Sequence, residues 1–310
     1  MKIAILGPGA LGCLLASLLF EAGEEVFLAD HRPHRAAHLR EAGIQLETLE
    51  GGRRTIRVPT GLPEEAEPAD LAVMAVKAHQ TQAAAGSLPR LLAPGGLALT
   101  LQNGLGNLEA MARVLGPERL LAGVTFLGVT RKEEGSVFYA GQGPMYLGAP
   151  PGSRVPAAEV EKWAVIFHRA GLDCRATDDI QAVLWEKLLV NVAINPLTAL
   201  LRVPNGALPQ LPAAWELAVA AAREAQMVAR ASEVTVPGDP EARVQQVCQA
   251  TAANRSSMLQ DVLAGRPTEI DALNGQVAAR GAALGVPTPV NSLLTRLIWD
   301  LTRSAKMRVD

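Results

Sequence analysis

Three polar side chains interrupt an otherwise apolar stretch, LWEKLLVNVAINP, at residues 184–196. Wound as an α-helix with 3.6 residues per turn, Lys187, Asn191 and Asn195 lie four residues apart and share one narrow stripe. A helix that is apolar on nearly every other side is normally buried, and unpaired polar groups are costly there. A thin solvated seam beside Glu186 would be the simplest explanation, but asparagine forms helices poorly. The pattern therefore favours a stripe that faces a ligand.

A lysine in such a place is suited to proton transfer. Partial removal from water lowers the pKa of an ammonium group, which makes Lys187 a workable acid near neutral pH. The side-chain amides of Asn191 and Asn195 can bind carboxylate and hydroxyl groups of a ligand without adding a titrating charge. The stripe thus combines a proton donor with neutral polar contacts, as the reduction of a polar carbonyl compound requires.

Three further polar residues in the C-terminal half are candidates for the same site. Asn205 lies in RVPNG, where Pro-Asn-Gly is also ordinary turn chemistry. Ser257 falls inside a predicted helix, where a serine is often merely tolerated. We expect Glu269 in the first turn of a helix that begins at Pro267, where the helix dipole alone favours an acid by about 0.3–1 kcal/mol. Each residue has this simpler explanation when it is taken alone.

A glycine-rich segment, GPGALG, follows the first apolar run of the chain and precedes a helical stretch. Gly7, Gly9 and Gly12 have the G-x-G-x-x-G spacing, in which the glycines permit a tight turn, close approach to a pyrophosphate and helix packing. The glycines alone would also fit a turn that binds nothing. A preceding strand and an acid-ended second strand predict a dinucleotide site, with the phosphates at the helix N-terminus. The predicted contacts are Gly7, Gly9, Ala10, Leu11 and Gly12.

Polar residues also follow the other predicted strands of this half. Asp30 ends EEVFLAD, Lys77 follows DLAVMAV, and Asn103 follows GGLALTLQ. Continuous apolar runs that alternate with helices indicate a parallel sheet covered on both faces, whose ligands lie beyond the carboxyl ends of the strands. A solvated lysine and an Asn-Gly turn are ordinary taken separately. At the same sheet edge as a glycine loop, they favour cofactor contacts.

The elements that must position these residues divide the chain into two halves. Strands and helices alternate at first, with a hairpin at 43–59 and several β segments within 120–148, whereas helical periodicity dominates from residue 178. We therefore predict an α/β N-terminal Rossmann-type dinucleotide-binding domain at residues 1–177, followed by an all-α C-terminal domain at 178–310. Proline and glycine should separate long helices. One is expected to end at Asn195, before Pro196, and another to run unbroken through 241–265.

Composition narrows the class of protein further. The chain of 310 residues carries a formal net charge of −2 and no basic run, which argues against nucleic-acid or membrane-surface partners. Cys13, Cys174 and Cys248 are far apart, and the 5 histidines have no matching acid cluster, so neither a disulfide framework nor a metal site is expected. The apolar start lacks the features of a signal peptide. We expect a soluble cytoplasmic protein, whose alanine-rich helix around 213–231 could pack against a second copy as a homodimer.

The sequence closely resembles the 2-dehydropantoate 2-reductases, or ketopantoate reductases, over essentially its whole length. The likeness rests on GPGALG, VKAHQ, QNGLGN, LWEKLLVNVAINPLTAL, VPNG, SSMLQD and RPTEIDALNG. It implies a Rossmann domain and an all-α substrate domain with catalysis in the cleft between them. It also implies NADPH-dependent reduction of 2-dehydropantoate (ketopantoate) to (R)-pantoate, in the synthesis of pantothenate and coenzyme A.

The resemblance also implies individual roles. Lys187 matches the proton donor to the nascent hydroxyl, and Glu269 matches an acid that borders substrate and cofactor in the catalytic site. Lys77 matches a cofactor-binding lysine, and Asn103 a residue that touches both cofactor and substrate. The positions that match substrate contacts are Asn103, Lys187, Asn191, Asn195, Asn205, Ser257 and Glu269.

The choice of nicotinamide cofactor stays open at the end of the second strand. Members of the family that use NADPH usually place an arginine there, but this chain has His31 at that position and Arg32 one residue later. Arg32, with Arg35 or His31, could hold the 2′-phosphate. Asp30 stands where an acid would bind an unphosphorylated ribose, so NADH is the alternative to the expected NADPH.

Two other functions are compatible with these residues. A paralogous reductase of another small branched 2-ketoacid would share the same amide and hydroxyl contacts. A non-catalytic nucleotide-binding sensor would keep the dinucleotide domain without its chemistry, and the presence of both Lys187 and Glu269 speaks against it.

Overall fold

The computed structural model describes residues 1–141 and 143–304. Their contacts divide the chain into two compact units. The first comprises residues 1–102 and 107–180, and the second comprises residues 103–106 together with the chain from Gln181 onward. The boundary between a Rossmann-type domain at residues 1–177 and an all-α domain at 178–310 stays a prediction.

The first unit is built from strands and helices that alternate along the chain. Its strands are β1 (Lys2–Leu6), β2 (Glu25–Ala29), β3 (Ile44–Thr48), β4 (Arg53–Ile56), β5 (Thr60–Gly61), β6 (Ala69–Met74), β7 (Leu92–Thr100), β8 (Leu120–Thr125), β9 (Gly128–Glu133), β10 (Ser136–Gly141), β11 (Met145–Gly148) and β12 (Cys174–Ala176). Its helices are α1 (Ala10–Glu21), α2 (Pro33–Ala42), α3 (Thr81–Ala85), α4 (Leu88–Leu91), α5 (Asn107–Leu115) and α6 (Ala157–Arg169).

The main sheet has eight strands in the order β12-β11-β8-β7-β6-β1-β2-β5. Neighbouring strands are parallel except for β11, which runs antiparallel to β8. Both faces of the central strand β1 are buried: Ile3 and Ile5 pack in one apolar cluster and Ala4 in another. The predicted Rossmann-type sheet is confirmed, because continuous apolar strands can be buried only where helices cover both faces.

A second sheet of four strands, in the order β4-β3-β10-β9, accounts for the other predicted β segments. The hairpin at 43–59 is confirmed: β3 and β4 pair antiparallel, and Gly51 turns with a φ of 80°. β9 and β10 also pair antiparallel around Gly135, whose φ is 74°. Both turns need the positive φ that glycine adopts at little cost.

The second unit consists of helices around its own apolar core. The helices are α7 (Ile180–Leu201), a 3-10 helix (Asn205–Gln210), α8 (Pro212–Ala231), α9 (Pro240–Ala250), α10 (Ser257–Leu263), α11 (Asn274–Leu284) and α12 (Pro289–Arg303). Among the described helices, α7 alone is long and apolar enough to cross a membrane by length and composition, and 72% of its most apolar window is buried. Core helices of other proteins meet the same test.

Two helix boundaries differ from those predicted. The expected helix over 241–265 is two helices, because Ser256 ends the intervening loop and its hydroxyl accepts a hydrogen bond from the backbone N–H of Leu259 at 3.1 Å. Ser257 is therefore the first residue of α10 rather than a helix-interior residue. The helix expected from Pro267 begins only at Asn274, since Leu273 has a ψ of −102° that departs from helical geometry. Glu269 thus lies in a turn and not at a helix start.

Two further features of the helical unit differ from the predicted helices. α7 continues through Pro196 to Leu201 instead of ending at Asn195. α12 was not predicted, although Leu294 and Ile298 form its buried stripe at the helical spacing of four.

Candidate functional site

The glycine loop has the geometry that its spacing predicts. Gly7 follows β1 with a φ of 103° and donates its N–H to the carbonyl of Ala29 at 2.9 Å. A Cβ at Gly12 would lie 2.0 Å from the carbonyl oxygen of Gly7, so α1 packs against the loop more closely than any side chain would permit. Gly7 and Gly12 are therefore required by the fold of the loop itself.

Gly9 differs from the other two glycines. It is the N-cap of α1, and the nearest atom to a Cβ built there is the carbonyl oxygen of Ala75 at 3.9 Å. The backbone N–H groups of the first turn, which includes Ala10 and Leu11, carry the positive end of the helix dipole. This open helix N-terminus fits the pyrophosphate of a dinucleotide.

Lys77 lies on a loop that a buried hydrogen-bond network fixes. The side-chain amide of Gln102 donates to the carbonyl of Val76 at 2.8 Å and to the hydroxyl of Thr81 at 2.7 Å. The Thr81 hydroxyl lies 2.9 Å from the side-chain oxygen of Asn107. Sequence reasoning missed these positioning residues, although Gln102 and Asn107 stand within the QNGLGN motif.

Asp30 is buried at the end of β2 and is paired with Arg35. The guanidinium of Arg35 donates from Nε to one carboxylate oxygen and from Nη2 to the other, the latter at 2.7 Å. The backbone N–H of Arg32 also donates to Asp30, at 3.2 Å. Arg35 is therefore engaged by Asp30, whereas the side chains of His31 and Arg32 are exposed beside it.

The polar stripe of α7 is present in the helical unit. Asn195 is buried, and Lys187 and Asn191 are half-buried. Burial lowers the pKa of Lys187 to about 8, and the negative charge of Glu269 partly opposes that shift. Lys187 is thus an ammonium of unusual acidity beside a buried carboxylate.

The loop that carries Asn103 packs on the turn that carries Glu269. Within the helical unit, the backbone N–H of Leu105 donates to the carbonyl of Ala272 at 2.9 Å. Gly104 has a φ of 81°, and a Cβ there would lie 2.2 Å from the same carbonyl oxygen. The structure therefore brings the segments of Asn103 and Glu269 together, and Glu269 interacts with Lys187.

Asn205 and Ser257 border the loop between α9 and α10. Asn205 is buried, and its amide donates to the hydroxyl of Thr251 at 2.9 Å. Ser257 is exposed, whereas the neighbouring Ser256 is buried and lies 2.7 Å from the hydroxyl of Thr198 on α7. The substrate-contacting roles of Asn205 and Ser257 stay predictions. Ser256 was missed, although a serine before an apolar run is a recognisable N-cap signal.

The sequence matches the family described as "Ketopantoate reductase PanE/ApbA" over residues 3–152, and "Ketopantoate reductase PanE/ApbA C terminal" over residues 179–301. The chain belongs to the ketopantoate reductase family. Two proteins named 2-dehydropantoate 2-reductase, from Archaeoglobus fulgidus and Vibrio cholerae, are each 36% identical to it. The alignments cover 96% of both chains for the first, and 98% of this chain and 99% of the relative for the second.

Solved structures agree with this ketopantoate reductase assignment. A PanE/ApbA family ketopantoate reductase from Ralstonia eutropha superposes with a TM-score of 0.89 at 31% identity, covering 99% of this chain and 100% of that one. A D-mandelate dehydrogenase with NADH and anilino(oxo)acetate superposes with a TM-score of 0.91 at 27% identity, covering 98% of this chain and 99% of that one. This chain therefore belongs to a family of oxidoreductases, and one solved structure of the same fold, the D-mandelate dehydrogenase, contains NADH.

Proposed function

We propose that this protein is a cytoplasmic 2-dehydropantoate 2-reductase that converts 2-dehydropantoate to (R)-pantoate with NADPH, on the route to pantothenate and coenzyme A. The observation that carries the proposal is the environment of the lysine on α7. Lys187 combines a pKa lowered to about 8 with a carboxylate partner, Glu269, and two amides one and two turns along the same stripe. A proton donor flanked by neutral hydrogen-bonding groups suits the reduction of a polar ketoacid.

The reaction requires a hydride at the ketone carbon and a proton at the ketone oxygen. The nicotinamide ring of NADPH, when the cofactor is bound, would supply that hydride. The ammonium of Lys187 donates a hydrogen bond to the ketone oxygen, and this bond strengthens as negative charge develops there. Transfer of that proton to the oxygen completes the hydroxyl group and leaves Lys187 neutral.

Glu269 has a supporting electrostatic role in this proposal. Burial alone would push the pKa of Lys187 lower and leave more of the lysine without its proton at neutral pH. The carboxylate of Glu269 opposes that shift and so keeps the ammonium form available. The pair therefore gives a lysine that is still charged at pH 7 and yet is a stronger acid than a solvated one.

Neutral polar residues would hold the rest of the substrate. Asn191 and Asn195 lie on the same stripe as Lys187, so they can bind the carboxylate or hydroxyl of a ketoacid whose carbonyl meets the ammonium. We assign Asn103, Asn205 and Ser257 to the same contacts because they match the family's substrate positions. None of these five side chains adds a titrating charge.

We propose NADPH as the preferred cofactor, bound at Gly7, Gly9, Ala10, Leu11, Gly12, Asp30, His31, Arg32, Lys77 and Asn103. Asp30 argues for NADH only if its carboxylate is free to accept hydrogen bonds from the ribose. Both of its oxygens accept from Arg35, whose positive charge also compensates the repulsion of a 2′-phosphate. The exposed side chain of Arg32 is then available to the phosphate.

A second candidate is the reduction of another 2-ketoacid. The likeness to a D-mandelate dehydrogenase with NADH, at a TM-score of 0.91, favours this alternative because the two folds differ little. Initial rates would separate the two candidate functions. They would be measured with ketopantoate, 2-ketoisovalerate, acetolactate and benzoylformate (the 2-ketoacid formed from mandelate), each with NADPH and with NADH. We expect the highest kcat/KM with ketopantoate and NADPH. A higher value with another ketoacid would support the second candidate, and no oxidation of either cofactor would favour a non-catalytic sensor.

A further inference from the structure

A proline inside α7 leaves one backbone carbonyl without its helical donor. In an α-helix, the carbonyl of residue i accepts a hydrogen bond from the N–H of residue i+4. Pro196 has no N–H, so it cannot donate to the carbonyl of Val192. Val192 is completely buried in the apolar core and directly follows Asn191 along α7. A bare carbonyl at this position would carry the cost of an unsatisfied buried group.

The side chain of Asn274 supplies the missing donor. Its Nδ2 donates to the carbonyl oxygen of Val192 at 3.0 Å, and the side chain is completely buried. Asn274 is the first residue of α11 and directly follows the turn that begins at Glu269. One hydrogen bond therefore connects the backbone of the lysine helix with the segment that carries the carboxylate.

A network behind Asn274 sets the direction of this amide. Nδ2 of Asn274 also donates to Oδ1 of Asn291 on α12, at 3.0 Å. The amide of Asn291 is itself oriented, because its Nδ2 donates to Oε2 of Glu224 at 2.7 Å and to the carbonyl of Ala221 at 3.0 Å. A reversed Asn274 amide would place its oxygen against two acceptors. The NH2 group must therefore face Val192.

Glu224 anchors the other end of the network. This buried carboxylate accepts the backbone N–H groups of Val290 and Asn291, each at 2.9 Å, at the start of α12. Capping the helix N-terminus in this way satisfies the charge of a group that would otherwise be costly to bury. A chain of hydrogen bonds therefore runs from α8 through α12 and α11 to α7. Each N–H donor that orients Asn274 in this chain has an acceptor.

We propose that Asn274 is a positioning residue for the reduction, which replaces the hydrogen bond lost at Pro196 and so holds the stripe of Lys187 against the Glu269 segment. This inference rests on the proposed function of Lys187. It differs from a general stabilising role because it assigns the effect of Asn274 to one carbonyl, that of Val192, which lacks a backbone donor. Restoring a backbone donor to that carbonyl should therefore recover most of the activity lost with Asn274, although Oδ1 of Asn291 then lacks the donor that Asn274 supplies.

The test is a double-mutant cycle of Asn274→Ala and Pro196→Ala in the full chain. We expect Asn274→Ala to lower kcat with ketopantoate by roughly 10- to 100-fold, the scale of a misplaced reacting group, with little change in KM for NADPH. Pro196→Ala should stay within about 3-fold of the parent. The double variant should recover most of the lost kcat, since residue 196 then donates to Val192 as in an unbroken helix. The melting temperatures of the four proteins should follow the same non-additive pattern.

A matched control separates this effect from a general change in α7. Thr198 is a buried residue of the same helix, and its hydroxyl bonds the carbonyl of Ile194 at 2.8 Å. Pro196→Ala should not restore the melting temperature of Thr198→Val, because the added N–H bonds the carbonyl of Val192 and not that of Ile194. An Asn274→Ala protein that folds only when Pro196→Ala is added would also support the proposal.

Three outcomes would overturn the inference. These are additive effects on kcat and melting temperature, equal rescue of Thr198→Val, and failure of both Asn274→Ala proteins to fold. Failure of the proposed function has a different signature, because the parent protein would then show no ketopantoate reduction. The melting temperatures would still report on the Asn274–Val192 bond in that case.

Discussion

Burial lowers the pKa of Lys187 to about 8, and the carboxylate of Glu269 opposes that shift within the same helical unit. The two residues are 82 positions apart in the sequence, and they belong to a helix and to a turn. Their relationship matters because a general acid works best when its pKa lies near the working pH.

The first prediction concerns the pH dependence of ketone reduction. Lys187 must carry its proton to act as the acid, so kcat/KM should be constant below pH 8 and fall about tenfold per pH unit above it. Glu269→Gln removes the influence that raises the lysine pKa. The falling limb should then move to lower pH, as initial rates between pH 6 and 10 would show.

Glu186→Gln is the matched control for that measurement. Glu186 precedes Lys187 in the chain, but its carboxylate pairs with Arg243 at 2.7 Å. Its loss should leave the falling limb in place. Equal shifts in the two variants would mean that Glu269 has no particular effect on Lys187.

A second prediction separates the roles of two glycines. Gly12→Ala should prevent α1 from packing, because its Cβ would lie 2.0 Å from the Gly7 carbonyl oxygen, and the variant should fold poorly. Gly9→Ala should fold with a melting temperature near that of the parent, since nothing lies nearer than 3.9 Å. It should nevertheless bind NADPH at least about tenfold more weakly, because the methyl group faces the open helix N-terminus. Fluorescence titration and thermal unfolding would measure both, and unchanged NADPH binding by Gly9→Ala would argue against a phosphate at this loop.

A third prediction concerns the buried pair of Asp30 and Arg35. Arg35→Ala leaves the Asp30 carboxylate buried without its partner, which costs about 3–5 kcal/mol for such pairs. Arg175→Ala is the control: Arg175 pairs with Asp173 at 2.9 Å, but the two side chains are 62% and 43% exposed, and solvated pairs contribute about 0–1 kcal/mol. Urea unfolding of the two variants should differ accordingly. A similar loss in both would mean that the Asp30 pair is solvated.

A fourth prediction concerns the choice of cofactor. Arg32→Ala should raise KM for NADPH by roughly 10-fold or more and change KM for NADH little, because a charge-assisted bond to the 2′-phosphate is lost. Arg169→Ala, on the exposed end of α6, should change neither value. Equal effects of Arg32→Ala on both cofactors would remove Arg32 from the phosphate contact.

The periodicity of the sequence was sufficient for the main architecture. Continuous apolar strands and glycine spacing predict the parallel sheet and its first turn, since both depend on local patterns. The stripe of Lys187 and its two asparagines also follows from helical spacing alone. The structure contains the sheet, the turn and the stripe. They could be predicted because a buried strand or helix has few other ways to arrange its apolar residues.

Non-local contacts explain what the sequence did not predict. The rule that glycine and proline delimit helices placed Glu269 in a first turn, whereas tertiary packing against residues 103–106 holds 269–273 as a separate turn. The rule also predicted that α7 stops before Pro196, but a side chain 82 residues beyond Val192 compensates the missing bond. Arg35 and Asp30 are close in sequence, yet their pairing was not predicted. Taken alone, Asp30 suggested a contact with the ribose of NADH, and Arg35 suggested a contact with the 2′-phosphate of NADPH.

The most direct test of the account is the kcat of Lys187→Ala with ketopantoate and NADPH. We predict a loss of at least ~100-fold, the scale of a missing general acid, with NADPH binding unchanged by titration. Asn191→Ala should serve as the comparison, since loss of a substrate contact should raise KM for ketopantoate more than it lowers kcat. A Lys187→Ala protein with near-parental kcat would contradict the assignment of Lys187 as the proton donor.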